Sequence, residues 1–117
     1  MLETIENYIL AWNAPDEKTR LQKLNLSFHL EGRYIDPHIQ SPITNLNEMN
    51  ALIRNFREKF EHKLILVDQV EIHHSVFRFS WKLEKNGSVL SRGMFCGEMN
   101  ETKHIQLIFG FIDSSNV

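Results

Sequence analysis

Apolar and polar residues change their rhythm about halfway along the chain. In the first half, apolar side chains recur every three or four residues, the period of an α-helix. Leu2, Ile5, Ile9 and Trp12 form one such stripe, with Tyr8 at its edge, and predict a helix from Leu2 to Asn13. Pro15 stops that helix. Because proline is tolerated at the first helical position, it also predicts a second, shorter helix beginning there. Leu21, Leu24 and Phe28 give this helix an inward face, and Gly32 breaks the pattern. Arg33 to Asp36 reads as a short strand ended by Pro37, which has no N–H for a ladder. Asn45 to Phe60 is the clearest helix. Leu46, Met49, Leu52, Ile53, Phe56 and Phe60 line one side, opposite Asn47, Asn50, Arg54, Arg57 and Glu58. Asn45 is placed to cap it, and Glu48 completes a capping box.

From Lys63 onward the period becomes two, and strands are predicted over Leu64 to His73, Val76 to Lys85, Ser88 to Met99 and His104 to Ile112. Asn86-Gly87 between two of them is a strong hairpin signal, since both central positions of a type I′ turn need positive φ. Asn100 to Lys103 makes the next turn. Helices first and strands afterwards define an α+β domain: a curled antiparallel sheet with about three helices on its concave face, around one apolar pocket.

The strand faces are unequal. Phe77, Phe79 and Trp81 point one way and Val76, Arg78, Ser80 and Lys82 the other. The aromatic face is expected against the helices. In the last strand both faces are apolar, with Ile108, Gly110 and Ile112 on one and Leu107, Phe109 and Phe111 on the other. Helices on one side leave the second face open. The expectation is a homodimer packed sheet to sheet, with cover by loops or the C-terminal tail as the alternative.

Composition narrows the class. The 117 residues suffice for one domain, 42% are hydrophobic and 24% charged, as in ordinary globular chains. The formal charge of -2 and the lack of a basic stripe argue against a nucleic-acid partner. The single cysteine, Cys96, forms no internal disulfide and suits a reducing compartment. No signal-peptide pattern and no run near the ~20 apolar residues of a membrane span is present, so a cytoplasmic location is expected, with no membrane partner.

Few residues suggest chemistry. Asp36 before Pro37 is either a turn starter or a carboxylate at the pocket. His38 follows at the expected pocket mouth. His73 and His74 are adjacent on a strand end, and alternation predicts opposite faces and no shared metal. No His-x-x-x-His pair or cysteine cluster occurs, so neither metal nor cofactor is expected. Arg78 is expected to make a salt bridge or interface contact. Cys96 is expected to be a small buried apolar residue with no base partner.

One combination of segments goes further. Tyr8 with Ala11-Trp12-Asn13, Tyr34-Ile35-Asp36-Pro37, Val76-Phe77-Arg78-Phe79-Ser80-Trp81 and Gly110-Phe111-Ile112-Asp113 fall in an order and spacing that resemble the nuclear-transport-factor-2-like superfamily, in its SnoaL-like and ketosteroid-isomerase-like branch. The resemblance covers nearly the whole chain. It implies a cone whose mouth opens into an apolar cavity, with Trp12, Tyr34, Leu52, Phe56, Phe79, Trp81, Phe95, Ile108 and Ile112 on the wall. It places Asp36 where an isomerase has its base and Tyr8 where it has a phenolic donor. The family's acidic donor falls on Phe95, whose ring donates no hydrogen bond. Two functions follow as expectations. One is binding of a small apolar molecule, with isomerase- or hydratase-like proton transfer by Asp36. The alternative is a non-catalytic interaction or dimerisation domain.

Overall fold

The structure is a computed structural model and describes residues 1–113. Its elements are α1 (Leu2–Asn13), α2 (Glu17–Ser27), β1 (Phe28–Ile35), α3 (Leu46–Lys59), β2 (Lys63–Leu66), β3 (Glu71–His73), β4 (Val76–Lys85), β5 (Ser88–Met99) and β6 (Ile105–Ile112). Three helices pack against one open, curled sheet, as expected. The expected cover by a C-terminal tail concerns residues 114–117 and lies outside the described residues.

The α2 start differs from expectation. Pro15 precedes the helix rather than opening it, and Asp16 is the cap, its Oδ2 accepting a hydrogen bond from Thr19 N at 2.9 Å. A carboxylate at that position answers one of the free N–H groups that proline would only remove. Phe28, expected on the helix, already belongs to β1, so helix and strand join without a loop. At α3 the Asn45 cap forms as expected, its Oδ1 accepting from Glu48 N at 2.8 Å, but Glu48 Oε1 reaches past Asn45 to accept from Thr44 N at 3.0 Å, so the box closes one residue early.

The sheet runs β1-β6-β5-β4-β2, with β3 on the same edge of β4. All pairs are antiparallel except β1 with β6, which is parallel. The α3 segment and the meander between them bring the chain back alongside β1 in the same direction. The strand expected over Leu64 to His73 is interrupted. Leu66 pairs with Trp81 and Ile72 with Phe77, so this edge spends more residues than β4 does, and the excess leaves the ladder around Asp68. The Asn86-Gly87 hairpin is as expected, with φ of 51° and 82°.

Curvature has a visible cause. On the concave face three large rings each lie across from a glycine: Trp81 opposite Gly93, Phe77 opposite Gly97 and Phe95 opposite Gly110. A Cβ added at Gly93, Gly97 or Gly110 would come within 2.4, 2.6 or 2.7 Å of those rings. Bare backbone lets the rings lie flat on the neighbouring strand, and the sheet folds over them. The rings join Ile5, Tyr8, Leu24, Met49, Ile53, Ile105 and Ile108 in the core.

The convex face carries a second apolar group. Ile35 and Cys96 lie opposite Phe109, and Met94 opposite Phe111, which is 61% exposed. Cys96 is half-buried here rather than in the core. Arg78, on the same face, pairs with Glu71 at 2.7 Å. No helix among the described residues is long and apolar enough to cross a membrane.

Candidate functional site

The cavity is built where α1, α3 and the sheet diverge. Asn13, at the end of α1, donates from Nδ2 to Leu64 O at 2.9 Å and accepts at Oδ1 from Leu64 N at 2.7 Å. One amide side chain thus replaces a missing strand on the edge of β2 and anchors the neighbouring Trp12. The resulting cavity measures about 800 Å³. Trp12, Tyr34, Leu52, Phe56, Trp81, Phe95 and Ile112 line it, with Asp36 and His38 towards one end.

Phe95 is the hub of the wall. Its ring centroid lies 5.4 Å from Trp81, 5.6 Å from Phe79, 5.9 Å from Tyr8 and 6.0 Å from Tyr34. Edge-to-face contacts of this kind add to the burial of the rings themselves. Phe79 and Ile108 sit behind the wall and not on it: Phe79 is covered by Phe95 and stacked on Phe77, and Ile108 pairs with Gly97 deep in the cone. Tyr8 is fully buried and is not among the lining residues; its ring meets Phe95 edge-on at 5.9 Å, and its hydroxyl feels Trp12 and Asp36, which do line the cavity.

Asp36 is held from two sides. Its Oδ2 accepts from Tyr34 Oη at 2.5 Å and its Oδ1 from His38 N at 2.7 Å. The second bond is the turn-starting contact that Asp36-Pro37 suggested, and the first adds an orientation that the sequence did not suggest. Burial pushes the Tyr34 phenol well above its usual range, and the nearby Tyr8 and the Asp36 charge push the same way. Burial raises the Tyr8 phenol too, against a small opposite effect from the Trp12 indole. Trp12 N–H faces Tyr8 without hydrogen-bond geometry, so Tyr8 Oη, Trp12 Nε1 and Trp81 Nε1 are buried polar atoms without a partner.

Several lining residues escaped the sequence reading. Lys59, Arg92 and Asp113 place charge at the rim, and Val89 and Leu90 extend the apolar wall from the β4–β5 hairpin. Lys59 could have been found: it follows Phe56 by three residues, on the cavity side of α3. Arg92 could not: it lies opposite Lys82, so alternation puts it on the face away from Trp81 and Phe95.

His73 and His74 correct another expectation. Their Nδ1 atoms lie 2.9 Å apart, not on opposite faces, because His74 has left the strand and takes φ of 53° in the β3–β4 turn. No group of three or more possible metal ligands occurs among the described residues.

No family model and no curated protein matches the sequence. Solved structures do match. A protein of Agrobacterium tumefaciens str. C58, assigned as an isomerase of the SnoaL-like family, is 26% identical, with a TM-score of 0.87 over 97% of both chains. A protein of Jannaschia sp. CCS1, assigned as a SnoaL-like polyketide cyclase, is 11% identical, with a TM-score of 0.76 over 96% of this chain and 84% of that one. A Kribbella flavida protein assigned as a ketosteroid isomerase is 12% identical, with a TM-score of 0.72 over 98% of this chain and 78% of that one. The chain has the nuclear-transport-factor-2-like fold. Its structural neighbours include proteins assigned to the SnoaL-like and ketosteroid-isomerase-like branch that Tyr34-Ile35-Asp36-Pro37 and the aromatic β4 strand resemble.

Proposed function

We propose that the protein binds a small, mostly apolar molecule carrying one oxygen function, with its apolar body against Trp81, Phe95 and Phe56 and its oxygen near Tyr34 and Asp36. The observation that carries this reading is an aromatic cavity of about 800 Å³ with the Asp36 carboxylate on its wall. A large apolar pocket with a few convergent polar groups is the usual form of a small-molecule site.

Proton transfer is the extension of this reading. Asp36 is a half-buried carboxylate on the cavity wall, oriented by Tyr34 and His38 N, with one lone pair on each oxygen still free. It acts as the base for removal of a proton next to a carbonyl. The apolar Phe95 leaves the resulting oxyanion short of a donor, a deficit of roughly 10²–10³ in rate for each donor missing. Binding is therefore the stronger half of the proposal. Native mass spectrometry of the purified protein is expected to show a co-purifying small molecule that is lost on Phe95→Trp filling of the wall. A bare mass in the wild type with no uptake of small ketones would sink the reading. Asp36→Asn is expected to abolish turnover while sparing binding, and unchanged turnover would remove Asp36 from the chemistry.

A second reading rests on Phe111. A ring 61% exposed beside Phe109, at 6.0 Å between centroids, suits self-association through the convex sheet face. Sedimentation is expected to give a dimer that Phe111→Arg dissociates. A wild-type monomer at micromolar concentration would end this reading.

A further inference from the structure

A second hollow, of about 870 Å³, opens on the other side of Phe60 from the aromatic cavity. Its lining comes from α2, α3, β2 and the β4–β5 hairpin, and its character is the reverse of the first. Arg20, Arg54, Arg57, Lys63 and Lys85 supply five cations, and Glu17, Glu58, Glu61 and Glu84 supply four acids. Three of the four acids are already matched, and the fourth, Glu58, is exposed and makes no ion pair among the described residues. Glu17 bonds Arg54 at 3.0 Å, Glu84 bonds Lys82 at 2.9 Å, and Glu61 bonds Lys85. Lys63 donates to Asn13 O at 3.1 Å.

Arg20 and Arg57 are left over. Arg20 is only 2% exposed, yet its Nε and Nη1 have no acceptor. Arg57 donates from Nη2 to His62 O, but its buried Nε also has none. The acids nearest Arg20 are committed elsewhere: Asp16 caps α2 through Thr19 N, and Glu17 Oε1 serves Arg54 and Asn50. Partial burial and the Arg20 charge both press Arg57 towards a lower pKa, so the two guanidiniums feel each other. Two like charges with unpaired donors are expensive to hold together in a partly dry place. A chain keeps such an arrangement most readily where a ligand completes it.

We propose that this groove binds a phosphoryl group between Arg20 and Arg57. A guanidinium is a fork matched to pairs of oxygens, and forks arriving from two helices suit a tetrahedral oxyanion better than a flat carboxylate, whose two oxygens one fork already serves. The groove has room for an organic group attached to the phosphoryl. The site is separate from the aromatic cavity, and its existence does not rest on the function proposed for that cavity.

Titration calorimetry at constant chloride, with 31P line widths as a second readout, tests this with two probes, inorganic phosphate and glycerol 1-phosphate. The wild type is expected to bind at least one. Tighter binding of the ester assigns the source as a phosphorylated molecule, and equal binding assigns it as free phosphate. Arg57→Gln is expected to weaken binding about tenfold or more, the usual cost of losing a charge-assisted bond. Lys18→Gln, on the same helix as Arg20 but outside the groove, is expected to leave binding unchanged. Arg57→Lys keeps the charge without the fork and is expected to fall between wild type and Arg57→Gln. It serves as the test if Arg57→Gln does not fold. No heat and no broadening with either probe in the wild type overturns the proposal, as does equal affinity in the Arg57 variants.

Discussion

Two hollows of nearly equal size lie on either side of Phe60, one walled by aromatic rings and the other by guanidinium and carboxylate groups. Their contrast shows that volume says little about what a site holds. In the aromatic cavity the same side chains build the core and the wall, so binding and stability are tied together. Phe95 touches Tyr8, Tyr34, Phe79 and Trp81, and no part of it is spare. In the charged groove the lining is added onto finished helices. Arg57 projects from the polar side of α3, and the helix would form without it.

The comparison is sharpened most by truncating each lining. Phe95→Ala is expected to cost about 3–5 kcal/mol in urea unfolding, because the site cannot collapse around a lost ring. Arg57→Gln is expected to change stability by no more than about 1 kcal/mol. Similar costs for the two would break the distinction.

Alkaline pH probes the aromatic side through its tyrosines. The chain has two tyrosines, Tyr8 and Tyr34, and both phenols are held above their usual range by burial. An unfolded tyrosine ionises near pH 10. The stabilisation from these raised values is therefore whole below pH 10 and is lost as pH climbs beyond it, by about 1.4 kcal/mol per pH unit for each tyrosine. Tyrosinate absorbance near 295 nm is expected to appear only together with unfolding. Gradual ionisation of a folded protein near pH 10 would show that the wall is wet.

A smaller effect is expected at the sheet beneath the rings. Gly97→Ala places a methyl 2.6 Å from Phe77 and 2.3 Å from Leu107 O, and should destabilise by about 1–3 kcal/mol in thermal or urea unfolding. Oxyanion binding in the groove should be unchanged by it. A stable Gly97→Ala variant would mean that the curl has another cause.

The two hollows were also unequally legible in the sequence. The aromatic wall follows from alternation: Phe77, Phe79 and Trp81 share a face wherever β4 is a strand, and the spacing of Tyr34-Ile35-Asp36-Pro37 places a carboxylate beside it. What alternation does not give is depth. Phe79 and Ile108 share the wall's face yet lie behind it, and Tyr8 is buried off the lining, because distance along the cone is set by how α1 and α3 splay. The parallel pairing of β1 with β6 and the break around Asp68 are likewise long-range outcomes that no local pattern carries. The charged groove was not legible at all. Arg54, Arg57 and Glu58 read as an ordinary solvated helix face, and only the packing of α2 against α3 shows that Arg20 is buried beside Arg57 without a partner.

The central claim, that the aromatic cavity takes an apolar molecule bearing an oxygen, has a built-in reporter. The chain has two tryptophans, Trp12 and Trp81, and both line the cavity. Titrating the protein with 2-decalol and with decalin, its parent hydrocarbon, while following tryptophan fluorescence therefore reads this cavity directly. Saturable changes are expected, with the alcohol bound about tenfold more tightly, as one extra hydrogen bond to the Asp36 carboxylate would give. Fluorescence unchanged by either compound up to its solubility, or equal affinity for the two, would contradict the account.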